Sequence, residues 1–268
     1  ITSLDFTKWS IPVTLTVSEA QGEETSPPPS SGGNGGGSNT TPTPSAFDVP
    51  LARAFLTTHQ TADGLIIDGL ITDWAAIAFA GVPSTDTTVS RLRTYLLSDP
   101  TALITGNPTT DYARRAMALL ALGINPYTGT QTNYIERLLN QFDAPTNQFG
   151  NPSLVNDDMF ALITLLHTGY TVDDPIIVST TQFIVSTQAT NGSWFGPDLT
   201  GAAIQALTLV SGLPGVTESL TKAKNYLHTI QQTNGSFDNN ISATSWVMQA
   251  IGALGETESV WTKNATPS

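Results

Sequence analysis

The sequence of 268 residues contains no cysteine. This absence excludes disulfide bonds, zinc sites with thiolate ligands and a cysteine nucleophile. Only three histidines occur, and their positions, 59, 167 and 228, are scattered along the chain. We therefore expect no metal site and no cofactor. The lack of cysteine does not identify a cellular compartment, because a chain of this length can bury a sizeable core without disulfides.

Basic residues are also scarce. Ten lysines and arginines stand against 22 aspartates and glutamates, which gives a formal net charge of −12. Affinity for nucleic acid comes from Lys and Arg that neutralise phosphates, so a nucleic-acid partner is not expected. The same argument disfavours an anionic membrane surface. No apolar run approaches the roughly 20 residues that cross a bilayer, and we expect no membrane insertion.

One short phrase occurs twice, at residues 183–194 and 226–237, with an offset of 43 residues. Weaker copies begin at Phe55, Tyr95 and Tyr134, and each copy is followed by a run of small residues that ends in glycine. Repeats of 20 to 50 residues indicate one supersecondary unit that has been copied and stacked. The sequence thus predicts five units of about 43 residues between about 48 and 260.

Each unit has the pattern of two helices. The first segment is amphipathic, and the second is dense in alanine and glycine and is predicted to open at a helix-capping residue such as Asp111, Asp157 or Thr200. Small residues allow close packing, so we assign the second helices to an inner layer and predict an all-α fold. The predicted inner helices are 70–80, 111–122, 157–168, 200–211 and 243–254.

The N-terminal segment has a different pattern. Apolar side chains alternate with polar ones over residues 9–17, as in a half-buried strand, and almost no other sheet is expected outside residues 4–18. We predict that residues 4–18 contact another copy of the chain or a neighbouring β domain. The predicted assembly residues are Trp9, Ile11, Val13, Leu15 and Val17, with Trp9 as the anchor. The predicted organisation is a strand segment at 1–20, a Pro/Gly/Ser-rich linker at 21–46 and a helical domain at 47–268.

The repeated phrase, aromatic-Leu-x-x-x-Gln-x-x-x-Gly-x-aromatic, resembles the repeat shared by squalene and other terpene cyclases and protein prenyltransferases. Tyr226-Leu227 with Gln231, Gly235 and Phe237 matches it best. The resemblance implies an α/α toroid in which inner helices surround a central cavity. Rings of this kind are usually built from more hairpins than the five predicted here, so we expect a gap that a partner covers. The predicted structural residues of the repeat are Gln60, Gln188, Trp194, Gln231 and Phe237.

The catalytic residues of these families are incomplete in the chain. Protein prenyltransferases hold zinc with an Asp, a Cys and a His, and the cysteine is missing. Class II terpene cyclases protonate an alkene with an Asp-x-Asp-Asp motif, whereas the chain has Val155-Asn156-Asp157-Asp158. Asp157 and Asp158 are therefore weak catalytic candidates, and helix capping is the alternative. The candidate binding residues are Asp111, Asp157, Asp158 and Trp246.

These observations favour an extracellular or cell-surface module that is not an enzyme and that binds a ligand or partner or builds a surface structure. The acidic, lysine-poor composition and the low-complexity segment motivate this hypothesis. The alternative is a terpene-cyclase-like or carbohydrate-active enzyme that uses carboxylates in a cavity. An open pocket with convergent carboxylates would favour the enzyme, and a pocket filled by Ala, Leu and Trp side chains would favour the module.

Overall fold

The computed structural model describes residues 16–17, 45–46, 49–257 and 260–261, and most of these residues are helical. This confirms the prediction of a mainly α-helical chain. The helices of the described part are α1 (Val49–Thr58), α2 (Gly69–Ala78), α3 (Thr87–Leu97), α4 (Pro108–Ala121), α5 (Tyr134–Leu139), α6 (Asn156–Leu166), α7 (Pro175–Ser186), α8 (Pro197–Thr208), α9 (Val216–Ile230) and α10 (Ile241–Ala253).

Two short antiparallel strand pairs accompany the helices. Strand β1 (Thr16–Val17) pairs with β2 (Ser45–Ala46), which lies within the segment predicted as a linker. Strand β3 (Phe142–Asp143) pairs with β4 (Gln148–Phe149) between α5 and α6. The last three strands were not predicted. Val17 lies in β1, whereas four predicted assembly residues lie outside the described residues: Trp9, Ile11, Val13 and Leu15.

The even-numbered helices pack against one another in chain order, α2 on α4, α4 on α6, α6 on α8 and α8 on α10. Each predicted inner window overlaps one of them. The odd-numbered helices α3, α5, α7 and α9 pack against their even-numbered neighbours. Small residues permit the close contact: a Cβ on Gly201 of α8 would lie 2.8 Å from the carbonyl carbon and oxygen of Trp246 in α10.

The predicted starts of two inner helices are wrong by three residues. Helix α4 begins at Pro108 and α8 at Pro197, so Asp111 and Thr200 lie inside the first turn instead of before it. The N-cap of α4 is Asn107, whose side chain accepts a hydrogen bond from the Thr109 N–H. Proline fits the first helical position because the N–H that it lacks has no partner within the helix.

The repeated glutamines follow three of the odd-numbered helices, α1, α7 and α9, and connect the ends of these helices to residues much later in the sequence. The Nε2 of Gln188 donates to the carbonyls of Gly192 and Ser219, both at 2.9 Å. The Nε2 of Gln60 donates in the same way to Gly64 and Thr88, and that of Gln231 donates to Gly235 and Trp261. The second acceptor is 28 to 31 residues away in sequence. The amide therefore links adjacent predicted units.

The aromatic residues that follow these glutamines are buried. Trp194 is almost completely enclosed, and its Nε1 donates to the carbonyl of Ile184 at 2.8 Å. Phe237 is enclosed to the same degree. Between α3 and α5 an aspartate takes the linking position, since Asp99 accepts from the Thr132 N–H at 2.9 Å and from the Tyr134 hydroxyl at 2.5 Å.

Candidate functional site

A pocket of about 500 Å³ lies among the even-numbered helices. All five contribute side chains, and these come from the middle or second half of each helix. The helices therefore run in the same direction around the pocket, with their C-terminal ends at one end of the molecule. The pocket is lined by Trp74, Ile77, Met117, Phe160, Ile163, His167, Gln205, Thr208, Leu209, Trp246, Gln249, Gly252 and Ala253.

Three aromatic side chains dominate the pocket wall. The rings of Trp74 and Trp246 are 5.8 Å apart and almost perpendicular, and Phe160 lies 5.7 Å from Trp246 and 6.1 Å from Trp74. Edge-to-face contacts of this kind are favourable because the positive ring edge meets the negative ring face. The Trp74–Trp246 contact brings together α2 and α10, the first and last of the even-numbered helices.

The polar side chains of the pocket are two glutamines, one threonine and one histidine. The Nε2 of Gln205 donates to the carbonyls of Gly201 and Trp246, at 3.3 and 3.4 Å. The Nε2 of Gln249 donates to the Ser245 carbonyl at 3.4 Å. Both amides thus use their N–H groups within the protein. Their carbonyl oxygens are suited to accept hydrogen bonds from a ligand.

The predicted acidic residues do not line this pocket. Asp111 and Asp157 lie in the first turns of α4 and α6, near the opposite end of these helices. Asp111 accepts from the N–H groups of Ile104 and Thr105, at 2.8 and 2.9 Å. Asp157 accepts from the Asn151 N–H at 3.0 Å. Each carboxylate therefore binds the backbone of the loop that precedes its own helix.

Threonine takes the same position in the other even-numbered helices. The hydroxyl oxygens of Thr72, Thr200 and Thr244 accept from backbone N–H groups six or seven residues earlier, at 2.8 to 3.1 Å. Asp111 and Asp157 accept from groups six or seven residues earlier as well. Either an aspartate or a threonine can therefore accept the backbone hydrogen bond that fixes the loop leading into the helix.

Asp158 differs from Asp111 and Asp157 because only one of its two carboxylate oxygens has a hydrogen-bond partner. Its Oδ1 accepts from the Phe149 N–H at 2.7 Å, but its buried Oδ2 has no hydrogen-bond partner. Burial raises the pKa of Asp158 to about 7, and the adjacent Asp157 adds to the increase. Burial also raises the pKa of Asp157, although hydrogen bonds from Asn151 and Asn107 oppose this.

A buried ionic network connects α2 with α4. Asp73 accepts from the Nε atoms of Arg114 and Arg115, at 3.2 and 2.8 Å, and all three side chains are almost fully enclosed. Arg114 also donates to Asp111 at 2.8 Å. Burial opposes ionisation of Asp111, but the hydrogen bond from Arg114 and those from the preceding loop lower its pKa overall. The two arginines of this network were not predicted from the sequence.

Two absences concern only the described residues. These residues contain no group of three or more His, Asp and Glu side chains that could hold a metal ion. None of their helices combines the length and the apolar character required to cross a membrane. No protein-family model matches the chain, and no curated protein is significantly similar to it. The functional argument therefore depends on the chain's own residues.

Proposed function

We propose that the ten helices form an α/α toroid of five hairpins, built on the repeat that resembles those of terpene cyclases and protein prenyltransferases. The chain-order packing of the even-numbered helices supports this proposal. So does the pocket, to which all five of these helices contribute. The contact between Trp74 and Trp246 supports a closed arrangement of the inner layer.

Within that fold we propose a binding module that is not an enzyme, whose pocket takes an uncharged and mainly apolar ligand. The observation that carries this proposal is the composition of the pocket wall, which has aromatic and aliphatic side chains, two amides, one threonine and one histidine but no Asp, Glu, Lys or Arg. A charged ligand would lose its hydration without gaining a counter-charge, which costs several kcal/mol or more. A volume of about 500 Å³ suits a small organic molecule.

The second candidate is an enzyme that uses a cavity carboxylate, and one observation favours it. Asp158 has a pKa near 7 and an unpartnered, buried oxygen, as a proton donor requires. A catalytic acid must also reach the group that it protonates, directly or through one water. Asp158 does not line the pocket, so the binding module is the better supported of the two.

Naphthol and naphthoate share the naphthalene ring and differ in charge, and they test the proposed ligand class. We expect naphthol to bind and to change the fluorescence of Trp74 and Trp246, and naphthoate to bind at least about tenfold more weakly. Ala253→Trp should fill the pocket and abolish binding of naphthol. Ala78→Trp, at an exposed position near the end of α2 that does not line the pocket, is the matched control. Equal binding of both compounds, or binding unchanged by Ala253→Trp, would refute the proposal.

We further propose an extracellular or cell-surface location and a contact through residues 4–18. The acidic, lysine-poor composition supports the location. Phe55 is exposed on α1, which has no fully buried side chain, and it offers an apolar side chain to another copy or to a neighbouring β domain. Removal of residues 1–20 should lower the number of chains per particle, as measured in solution by light scattering. An unchanged number of chains together with unchanged stability would rule out the assembly role.

A further inference from the structure

The end of the molecule opposite the pocket is formed by the loops that lead into the even-numbered helices. The pocket is lined by the middle and second halves of these helices, so their first residues lie at the other end. We call this end the loop face. It comprises residues 59–68, 98–107, 140–155, 187–196 and 231–240, together with the first residue of each following helix.

Large apolar side chains are exposed at this face in, or directly after, all five loops. Among the described residues, 13 large hydrophobic side chains are exposed, and six of them belong to the loop face. Four of the loops contribute at least one, and the fifth is followed directly by Ile241, the first residue of α10. The exposed fractions of these side chains are 57% for Ile67, 50% for Leu103, 38% for Ile104, 40% for Leu154, 80% for Phe195 and 87% for Ile241.

Two of these side chains are held outward by an unfavourable backbone conformation. Ile67 and Phe195 have φ angles of 61° and 58°, and each is the central residue of a three-residue turn closed by a 2.7 Å N–H to carbonyl hydrogen bond. Glycine and asparagine adopt positive φ more readily than isoleucine or phenylalanine. The turn by itself therefore does not call for these residues. Their immediate predecessors, Ile66 and Trp194, are buried in the core, so the turn separates a core residue from an exposed one.

The charges of the loop face have one sign. The five loops contain no lysine or arginine. Acidic side chains are exposed in or directly after four of them, at Asp63, Asp68, Asp143, Asp198 and Asp238. A second copy of this face would bring like charges together, and an anionic membrane surface would be repelled. Charge complementarity thus favours a partner that carries lysine or arginine.

We propose that the loop face docks a protein partner whose contact surface combines apolar side chains with lysine or arginine. Burial of the exposed apolar side chains supplies affinity, because apolar area removed from water is the main favourable contribution to association. The acids accelerate the encounter and select the sign of the partner's charge. Since the face lies opposite the pocket, a docked partner leaves the pocket accessible.

Two synthetic amphipathic peptides test the proposal by fluorescence anisotropy. One combines leucine with lysine, and the other has glutamate in place of each lysine. We expect the full chain to bind the lysine peptide and not the glutamate peptide, and salt to weaken the binding. The triple variant Ile67→Ser, Phe195→Ser, Ile241→Ser should reduce the affinity at least about tenfold. Serine is tolerated at these exposed positions, which circular dichroism of the variant verifies.

The matched control removes three exposed apolar side chains that lie outside the loop face, through Val49→Ser, Val172→Ser and Val260→Ser. It should leave the affinity for the lysine peptide unchanged. Three results would overturn the proposal: equal loss of affinity in the control, equal binding of the glutamate peptide, or retained affinity in the triple variant. Binding of the loop face to phosphatidylcholine vesicles, lost in the triple variant while the lysine peptide does not bind, would assign the face to lipid instead.

Discussion

The substitution Asp158→Asn should change how the stability of the chain depends on pH. In the folded state one carboxylate oxygen of Asp158 accepts from the Phe149 N–H, and the other is buried without a partner. An asparagine keeps the acceptor and has nearly the same shape. It also removes the charge whose burial raises the pKa of this carboxyl from 3.8 to about 7. The variant therefore isolates the free-energy cost of ionising Asp158.

The direction in which the free energy of unfolding changes with pH follows from the number of protons that the folded and unfolded states bind. Between pH 4 and pH 7 the folded chain keeps the Asp158 proton, whereas the unfolded chain has lost it. The folded state binds more protons in this window, so the free energy of unfolding falls as the pH rises through it. The difference between the two pKa values corresponds to about 4 kcal/mol. Asp158→Asn should remove this loss and be more stable than the parent chain above pH 7, by up to about 4 kcal/mol.

Urea unfolding of both proteins at a series of pH values gives the comparison. The difference in unfolding free energy, variant minus parent, should grow between pH 4 and pH 7 and then remain level. Asp63→Asn is the control, because Asp63 is exposed and its hydrogen bond to Thr61 lowers its pKa. A difference for Asp158→Asn that does not change with pH would show that this carboxyl is not destabilised by burial.

Three further substitutions, the first of them compared with a control substitution, test the packing. Gly192→Ala should destabilise the chain by about 2 kcal/mol, because φ is 92° and the added Cβ would clash with a backbone carbonyl of α9. Gly169→Ala is the control and should cost less, because φ is 110° but no atom lies near the added Cβ. Thermal unfolding of the two variants gives the comparison. Gln188→Ala should cost about 2 kcal/mol in urea unfolding, because two buried carbonyls lose their donor. Arg115→Met should cost about 3–5 kcal/mol in the same assay by leaving Asp73 with one cation.

The sequence predicted the helices well because two independent patterns agreed. The spacing of the repeated phrase set the number of predicted units, and the alanine-rich runs marked the even-numbered helices. The helix starts were less accurate at Asp111 and Thr200. An acidic or hydroxyl residue near a helix start favours capping, but the same side chain can instead reach back to the preceding loop, as both residues do here. Sequence alone does not separate these two uses.

Other features had weaker signals. Asp99 joins two predicted units without resembling the glutamines, and its positive φ of 55° is visible only in the structure. The β3–β4 hairpin has Phe142 and Phe149 as paired residues, but the two-residue strands are too short for an alternating pattern. Of the three pocket aromatics, only Trp246 was predicted to bind. Trp74 is a bulky residue in the middle of a helix rich in small residues, which is the signal that could have identified it. Phe160 lies among other large apolar residues of α6 and has no such signal.

The alternation of threonine and aspartate at one position bears on the choice between module and enzyme. A catalytic carboxylate performs a task that a threonine hydroxyl cannot, whereas a loop-fixing acceptor can be either. Thr72 and Asp111 accept the same kind of backbone hydrogen bond from the same distance along the chain. The need for a loop-fixing acceptor thus accounts for Asp111 and Asp157 without catalysis. The residues that carry function are then those with no local structural role. They are the aromatic residues of the pocket and the exposed apolar residues of the loop face.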